Sequence, residues 1–286
     1  MRSLPRPNRD DVRAQLERAL EIYERKGVQF GYAVSPEQLD SLIALYDAYD
    51  GAGGSPNDDL KGPLLGEDLK VAIHTSYRFT QAGGKLEPIR TSLMRNVEHC
   101  PICGITGPRE LDHYLPQSAY RPLAIYVRNL VPLCHDCNQS KSTQEAGQPE
   151  NQFVHPYFEE LPDVQFLRAI VNLGNGALTI DYDIDPGADL PDILRARLSF
   201  QLERLKLNQR YQREINTYLT SHAVMLATTF EAGAGESVST FLNRQANVER
   251  RAFHRNHWRP VLLSALADHE GFCNGGFQDV LPGEQD

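Results

Sequence analysis

The chain has 286 residues, 41% of them hydrophobic, and a formal net charge of −9. That length and composition allow a sizeable core in one large or two ordinary domains and exclude wholesale disorder. No apolar run approaches the ~20 residues of a membrane span, and the excess of acid excludes a generally basic, DNA-coating protein while leaving room for a local basic surface.

The first residues, MRSLPRPNRDDVRAQLERAL, contain no apolar h-region followed by small residues, so no signal peptide and a cytoplasmic location are expected. Residues 9–26 are expected as an amphipathic helix, because Val12, Leu16, Leu20 and Tyr23 recur at three- to four-residue spacing between Arg and Glu. Ser35-Pro36-Glu37 has the chemistry of a helix start: a hydroxyl cap, proline at the first position and acid in the first turn. That helix is expected to run through Leu39, Leu42, Leu45 and Tyr46 to about Asp50. GAGGSPNDD (51–59) is a loop, another helix starts near Glu67, and 83–89 contains a Gly-Gly break.

Beyond residue 141 the expected order is a loop over 142–152, then a β-hairpin over 165–183. FLRAIVNL and ALTIDYDI are β-rich runs around a Gly-Asn-Gly turn. Helix spacing returns from Asp192 with Leu194, Leu198, Leu202 and Leu205, and later Ile215, Tyr218 and Leu219. Further helices are expected over 236–255 and about 258–268, a break at GFCNGGF, and a frayed tail, LPGEQD. Arg195 to Arg259 carries eleven Lys/Arg against five Asp/Glu, so a basic helical region lies within an acidic chain. Its arginines, with His254, His257 and Trp258 interleaved, have two readings: a track for a phosphate backbone with aromatics stacking on bases, or an ordinary solvated or partner-facing helix.

The chemistry concentrates in the middle. Of five cysteines, Cys100, Cys103, Cys134 and Cys137 form two C-x2-C pairs, CPIC and CHDC, thirty residues apart; Cys273 stands alone and is expected as a small buried apolar residue. In a reducing compartment paired spacing points to a metal rather than to disulfides. Four thiolates fill a tetrahedral shell and leave no open position for water, so the expected Zn²⁺ is structural. The alternative is four unrelated buried cysteines. His99 and His135 adjoin the ligands, but four sulfurs suffice. Between and after the knuckles lie Leu111-Asp112-His113, Asn129-Leu130-Val131-Pro132-Leu133, and Cys137-Asn138-Gln139-Ser140-Lys141.

In this order CPIC, LDH, NLVPLC and CNQSK resemble the zinc-bearing branch of the HNH endonucleases, whose fold is a ββα-metal finger. The last motif position is Asn138 rather than His; both occur there in the family. The resemblance implies an α+β chain, mostly helical, with an embedded ββα module and a β-hairpin after it. It divides as a helical region 1–95, the nuclease module 96–160 and a hairpin plus helices over 161–286. It implies hydrolysis of phosphodiester bonds, with DNA the expected substrate, leaving a 5′-phosphate and a 3′-hydroxyl. His113 would be the general base, since a neutral imidazole accepts a proton near pH 7. Asp112 and Asn138 would offer hard oxygen ligands to a catalytic Mg²⁺ or Mn²⁺. Asn129 would orient His113 or hold the loop. Lys141, three residues after Asn138 and on the same helix face, would suit a phosphate.

Adjacent residues on a strand point to opposite faces, so Asp112 and His113 converge only if the strand ends or bends there. FVHPYF (153–158) and the terminal W…FCNGGF region are similar to HNH subunits of bacterial anti-phage systems such as Septu. That similarity implies a role in phage defence and an ABC- or SMC-like ATPase partner; the acidic charge without a broad basic groove leads us to expect regulation by a partner or a homo-oligomer, and the lack of a long apolar run leads us to expect no membrane association. His155 within FVHPYF either packs on the finger or lies near the site. Two other functions fit the same residues: a non-catalytic zinc adaptor for nucleic acid or protein, and an RNase using the same site.

Overall fold

A computed structural model describes residues 1–142 and 148–282. Residues 143–147 of the expected loop and 283–286 of the expected frayed tail lie outside the described residues. Helices predominate, and the described strands form three two-stranded antiparallel sheets, an α+β arrangement as expected. No helix among the described residues is long and apolar enough to cross a membrane. The chain divides into two compact units: residues 3–142 with 155–160, and residues 148–154 with 161–282 and 1–2.

The first unit opens with α1 (Val12–Leu20), which buries Val12, Leu16, Ala19 and Leu20. It ends well short of the expected residue 26. Tyr23–Arg25 and Val28–Phe30 instead form a hairpin, β1 and β2. Lys26 and Gly27 both have positive φ, 54° and 72°, the backbone of a two-residue turn that matches strand twist. Tyr23 stacks on Phe30 across it, with ring centroids 5.5 Å apart.

Helix α2 (Pro36–Gly51) starts as expected. The Ser35 hydroxyl accepts from the Gln38 amide, and the Gln38 side chain accepts from the Ser35 amide, so two otherwise orphaned donors are satisfied. Its buried face is Leu39, Leu42, Tyr46 and Tyr49. Helix α3 (Glu67–Ser76) follows, and then α4 (Glu87–Met94), a helix that periodicity did not reveal because only Ile89 and Leu93 are buried in its eight residues. Strands β3 (Glu110–His113) and β4 (Leu130–Leu133) pair antiparallel, and α5 (His135–Lys141) follows directly.

The second unit contains the hairpin β5 (Leu167–Gly174) and β6 (Ala177–Ile184), turned by Asn175 and Gly176, again with both φ positive. Helices α6 (Asp192–Arg204) and α7 (Leu207–Thr220) divide the expected helical run at Lys206, whose φ is 50°. Helix α8 (Ala223–Ala252) starts earlier than expected and is broken at Gly233 and Ala234. Helix α9 (Trp258–Ala267) lies as expected, and GFCNGGF, expected as a break, contributes to the short α10 (Glu270–Cys273). Asn256 ties this unit together. Its side-chain oxygen accepts from the amides of Phe166 and Leu167, and its nitrogen donates to Val164 O.

Lysine at a left-handed position is strained where Asn or Gly is not. We expect Lys26→Asn to raise stability by up to about 1 kcal/mol, read as a higher Tm in thermal denaturation. A lower Tm would mean that the turn is held by its surroundings.

Candidate active site

The two knuckles close because glycine and strand geometry bring them together. Gly104, at φ 69°, donates its amide to Cys100 O, while Cys100 donates its own to Thr106 O, folding the first pair into a tight turn. Cys134 follows β4 as the N-cap of α5, and Cys137 lies in its first turn. All four cysteines are buried, with their sulfurs within 4.8 Å of one another. Cys103 Sγ and Cys134 Sγ are 3.6 Å apart. A disulfide requires ~2.05 Å, whereas sulfurs ~2.3 Å from a tetrahedral Zn²⁺ lie about 3.8 Å from each other. The donor set fits a closed zinc site. The Ile105 amide donates to Cys103 Sγ. His99 and His135 are outside the cluster.

β3 alternates strictly. Leu111 and His113 are buried, while Glu110 and Asp112 are partly exposed and share the other face. Asp112 and His113 therefore point to opposite faces, and the end of the strand at His113 does not bring them together as the sequence reading required.

On the His113 side, Nε2 lies 2.8 Å from Ala124 O, and the ring lies against Tyr77 with centroids 4.4 Å apart. A carbonyl only accepts, so Nε2 carries the hydrogen and Nδ1 is the basic nitrogen. Burial pushes the imidazole down to about 4, so it is neutral at pH 7.

Asn129 is fully buried beside it and makes four bonds. Its oxygen accepts from the Leu115 amide (2.8 Å) and the Tyr49 hydroxyl (3.2 Å); its nitrogen donates to Leu115 O (3.2 Å) and Leu123 O (3.3 Å). It holds the loop whose next carbonyl, Ala124, takes the His113 hydrogen.

His155 belongs to the same network. Its Nδ1 accepts from the Tyr157 amide, so Nε2 carries the hydrogen that goes to Tyr49 Oη, 3.0 Å away. Its ring lies on Tyr114 at 3.9 Å between centroids. FVHPYF thus contributes a fully buried histidine to the packing of the finger.

On the other face of β3, α5 presents residues spaced by three. Asp112 Oδ2 lies 2.8 Å from Lys141 Nζ, which also donates to His113 O at 2.7 Å. The Asp112 contact is a close ion pair. Burial raises the Asp112 carboxyl above its ordinary range, and Lys141 opposes that shift. Lys141 is only 7% exposed. It turns inward onto Asp112 and the strand end, in contrast to the open phosphate-facing position expected from helix spacing alone. Asn138 donates Nδ2 to Glu110 Oε2, and Glu110 Oε1 lies 2.8 Å from His135 Nδ1. These bonds, the one from Asn138 foremost, hold the Glu110 carboxyl below the usual range. Sequence reading passed over Glu110. The available signal was its position two residues before Asp112 on one strand.

The arginine stretch of the second unit does not form a free stripe. Arg259 lies among the rings of Tyr218, Phe253 and Trp258, Arg255 pairs with Asp163, and Arg250 reaches Asn247 and Ser264. Trp258 and His257 are buried, so these two rings do not stack on bases, while Arg244 and Arg251 are exposed.

Two strands, a helix and a four-cysteine cage define an HNH-type finger, and residues 100–144 match the family model described as HNH endonuclease. Over 234 residues the chain is 27% identical to Protein ea31 of Escherichia phage lambda, covering 74% of this chain and 77% of that protein. No solved structure matches.

Two outcomes follow. A strong chelator should remove about one zinc per chain and melt the finger, because a structural zinc contributes on the order of 10 kcal/mol in isolated fingers and α5 is too short to persist alone. Metal analysis with circular dichroism reads this, and full zinc content in Cys137→Ser would refute the cage. The second concerns His155, which burial holds well below its ordinary range. Its unfolded form binds a proton that the folded form refuses, so its stabilisation is complete above about pH 6.5 and is lost as pH falls below that. His155→Leu should therefore lose less Tm than the parent chain between pH 7.5 and 5.5; an equal loss would assign the acid sensitivity elsewhere.

Proposed function

We propose that this chain is a divalent-metal-dependent HNH endonuclease that hydrolyses phosphodiester bonds, with DNA as its substrate. The observation that carries the reading is the placement of a neutral, carbonyl-anchored His113 at the end of the strand whose other face presents Asp112 toward the helix bearing Asn138.

The donors fit a hard cation. Asp112 offers a buried carboxylate whose charge is paired with Lys141. Asn138 has its nitrogen committed to Glu110, which leaves its oxygen as the ligand atom. Asp112 and Asn138 would hold Mg²⁺ or Mn²⁺, which prefer few protein oxygens and keep several waters. When bound, the ion supplies a positive charge for the oxygens that become negative as the phosphate is attacked.

His113 takes the proton of the attacking water on Nδ1. The Ala124 carbonyl fixes the ring through Nε2–H and stabilises the imidazolium that forms. In the resting site the imidazole is a weak base, and an anionic phosphate beside it raises that basicity. Lys141 opposes the burial of Asp112 charge, so we assign it to Asp112 first and to phosphate only through rearrangement.

The likeness to a phage lambda protein supports a setting in phage–host competition. Comparing plaque formation on cells that express the parent chain or a His113 variant tests that setting; equal plating on both would remove it.

Removing a general base typically costs 10²–10⁴-fold. We expect His113→Ala to lose about that much plasmid nicking in Mg²⁺ or Mn²⁺, with zinc content and far-ultraviolet circular dichroism retained. Unchanged nicking by that variant would overturn the assignment. RNA cut in preference to plasmid would transfer the site to RNase chemistry, and a parent chain that binds DNA without cutting would make it an adaptor.

A further inference from the structure

We propose that Glu110 is the positioning residue that turns the Asn138 side chain so that its oxygen faces the catalytic cation. The proposal rests on the reading of Asn138 as a ligand given above.

An asparagine can present either of two nearly isosteric ends to a neighbour, an acceptor oxygen or a donor NH₂. Only the oxygen ligates a hard cation; the NH₂ end would direct positive hydrogens at it. Nothing within Asn138 selects between the two. Glu110 does. An ionised carboxylate can only accept, so its Oε2 captures Nδ2 and excludes the flipped amide. A flip would place two acceptors against each other.

Glu110 is itself fixed. It is paired with Leu133 across the β3–β4 ladder, one residue before the zinc ligand Cys134. Its second oxygen is held by His135 Nδ1 at 2.8 Å. Residues 135, 138 and 141 share one face of α5, and residues 110 and 112 share one face of β3. His135 and Asn138 meet Glu110, while Lys141 meets Asp112. Helix and strand are thereby joined by two acids in series. Cys134 and Cys137 fix where the helix begins, and so which of its residues meets which acid.

Glu110 therefore belongs to the cation site without touching the cation. Losses of roughly 10–100-fold in metal affinity are usual when such a supporting hydrogen bond is removed. The experiment compares the parent chain, Glu110→Ala and Glu110→Gln by three measurements: zinc content, Mn²⁺ binding followed by electron paramagnetic resonance, and the side-chain amide signals of Asn138 in ¹H–¹⁵N spectra.

In the parent chain we expect one Asn138 amide hydrogen to exchange slowly. In Glu110→Ala it should exchange freely and Mn²⁺ binding should weaken roughly 10–100-fold with zinc retained. Glutamine keeps an oxygen that can accept from Nδ2 but loses the charge, so Glu110→Gln should recover most of the Mn²⁺ affinity. Mn²⁺ bound as tightly by Glu110→Ala as by the parent overturns the proposal. So does a folded Glu110→Gln that binds as weakly as Glu110→Ala, because the charge and not the orientation would then matter. A parent chain that neither binds Mn²⁺ nor nicks DNA defeats the functional reading instead, and Asn138 amide exchange unaffected by Glu110→Ala would still overturn the hydrogen bond on which the positioning depends.

Discussion

The closed cage of four sulfurs is the constraint on which the finger depends. Two four-residue strands and a seven-residue helix bury too little to stand alone. The cage ties the turn at Cys100–Cys103 to the point where β4 becomes α5. One cation can thus set a helix start, a strand end and a rotational register together. The Glu110–Asn138 pair lies outside the cage but takes its position from it, since Asn138 directly follows Cys137 and Glu110 pairs with the residue before Cys134.

A second support comes from buried polar groups. Asn129, Tyr49 and His155 form a chain in which each donor has an acceptor, running from the segment after the finger through α2 into the loop between β3 and β4. Such a network is costly when partly satisfied and selective when complete, because few alternative packings satisfy every member. It accounts for a fully buried asparagine next to a short apolar strand. It also explains how Ala124 O is held where His113 can use it.

The electrostatics around β3 are set by burial. Burial drives His113 toward the neutral form and Asp112 toward protonation, and Lys141 opposes the second shift from 2.8 Å. On the same face as Asp112, Glu110 keeps its charge through two hydrogen bonds. One strand thus carries a buried, hard-to-ionise acid and a readily ionised one two residues apart.

The sequence by itself determined whatever depends on near neighbours. The C-x2-C spacing specified the cage, Ser35-Pro36-Glu37 the start of α2, and the Gly-Asn-Gly turn between β-rich runs the hairpin of the second unit. The order of motifs located the HNH finger. Tertiary structure decided the rest. It ended α1 at Leu20 and made a hairpin of 23–30 through a lysine in a left-handed conformation that propensity disfavours. It turned Lys141 inward onto Asp112, buried Trp258, and joined Glu110 to Asn138 across 28 residues. Periodicity says which face of an element is apolar. It does not say which polar group on the other face will find a partner from a distant segment, because that depends on how the elements pack.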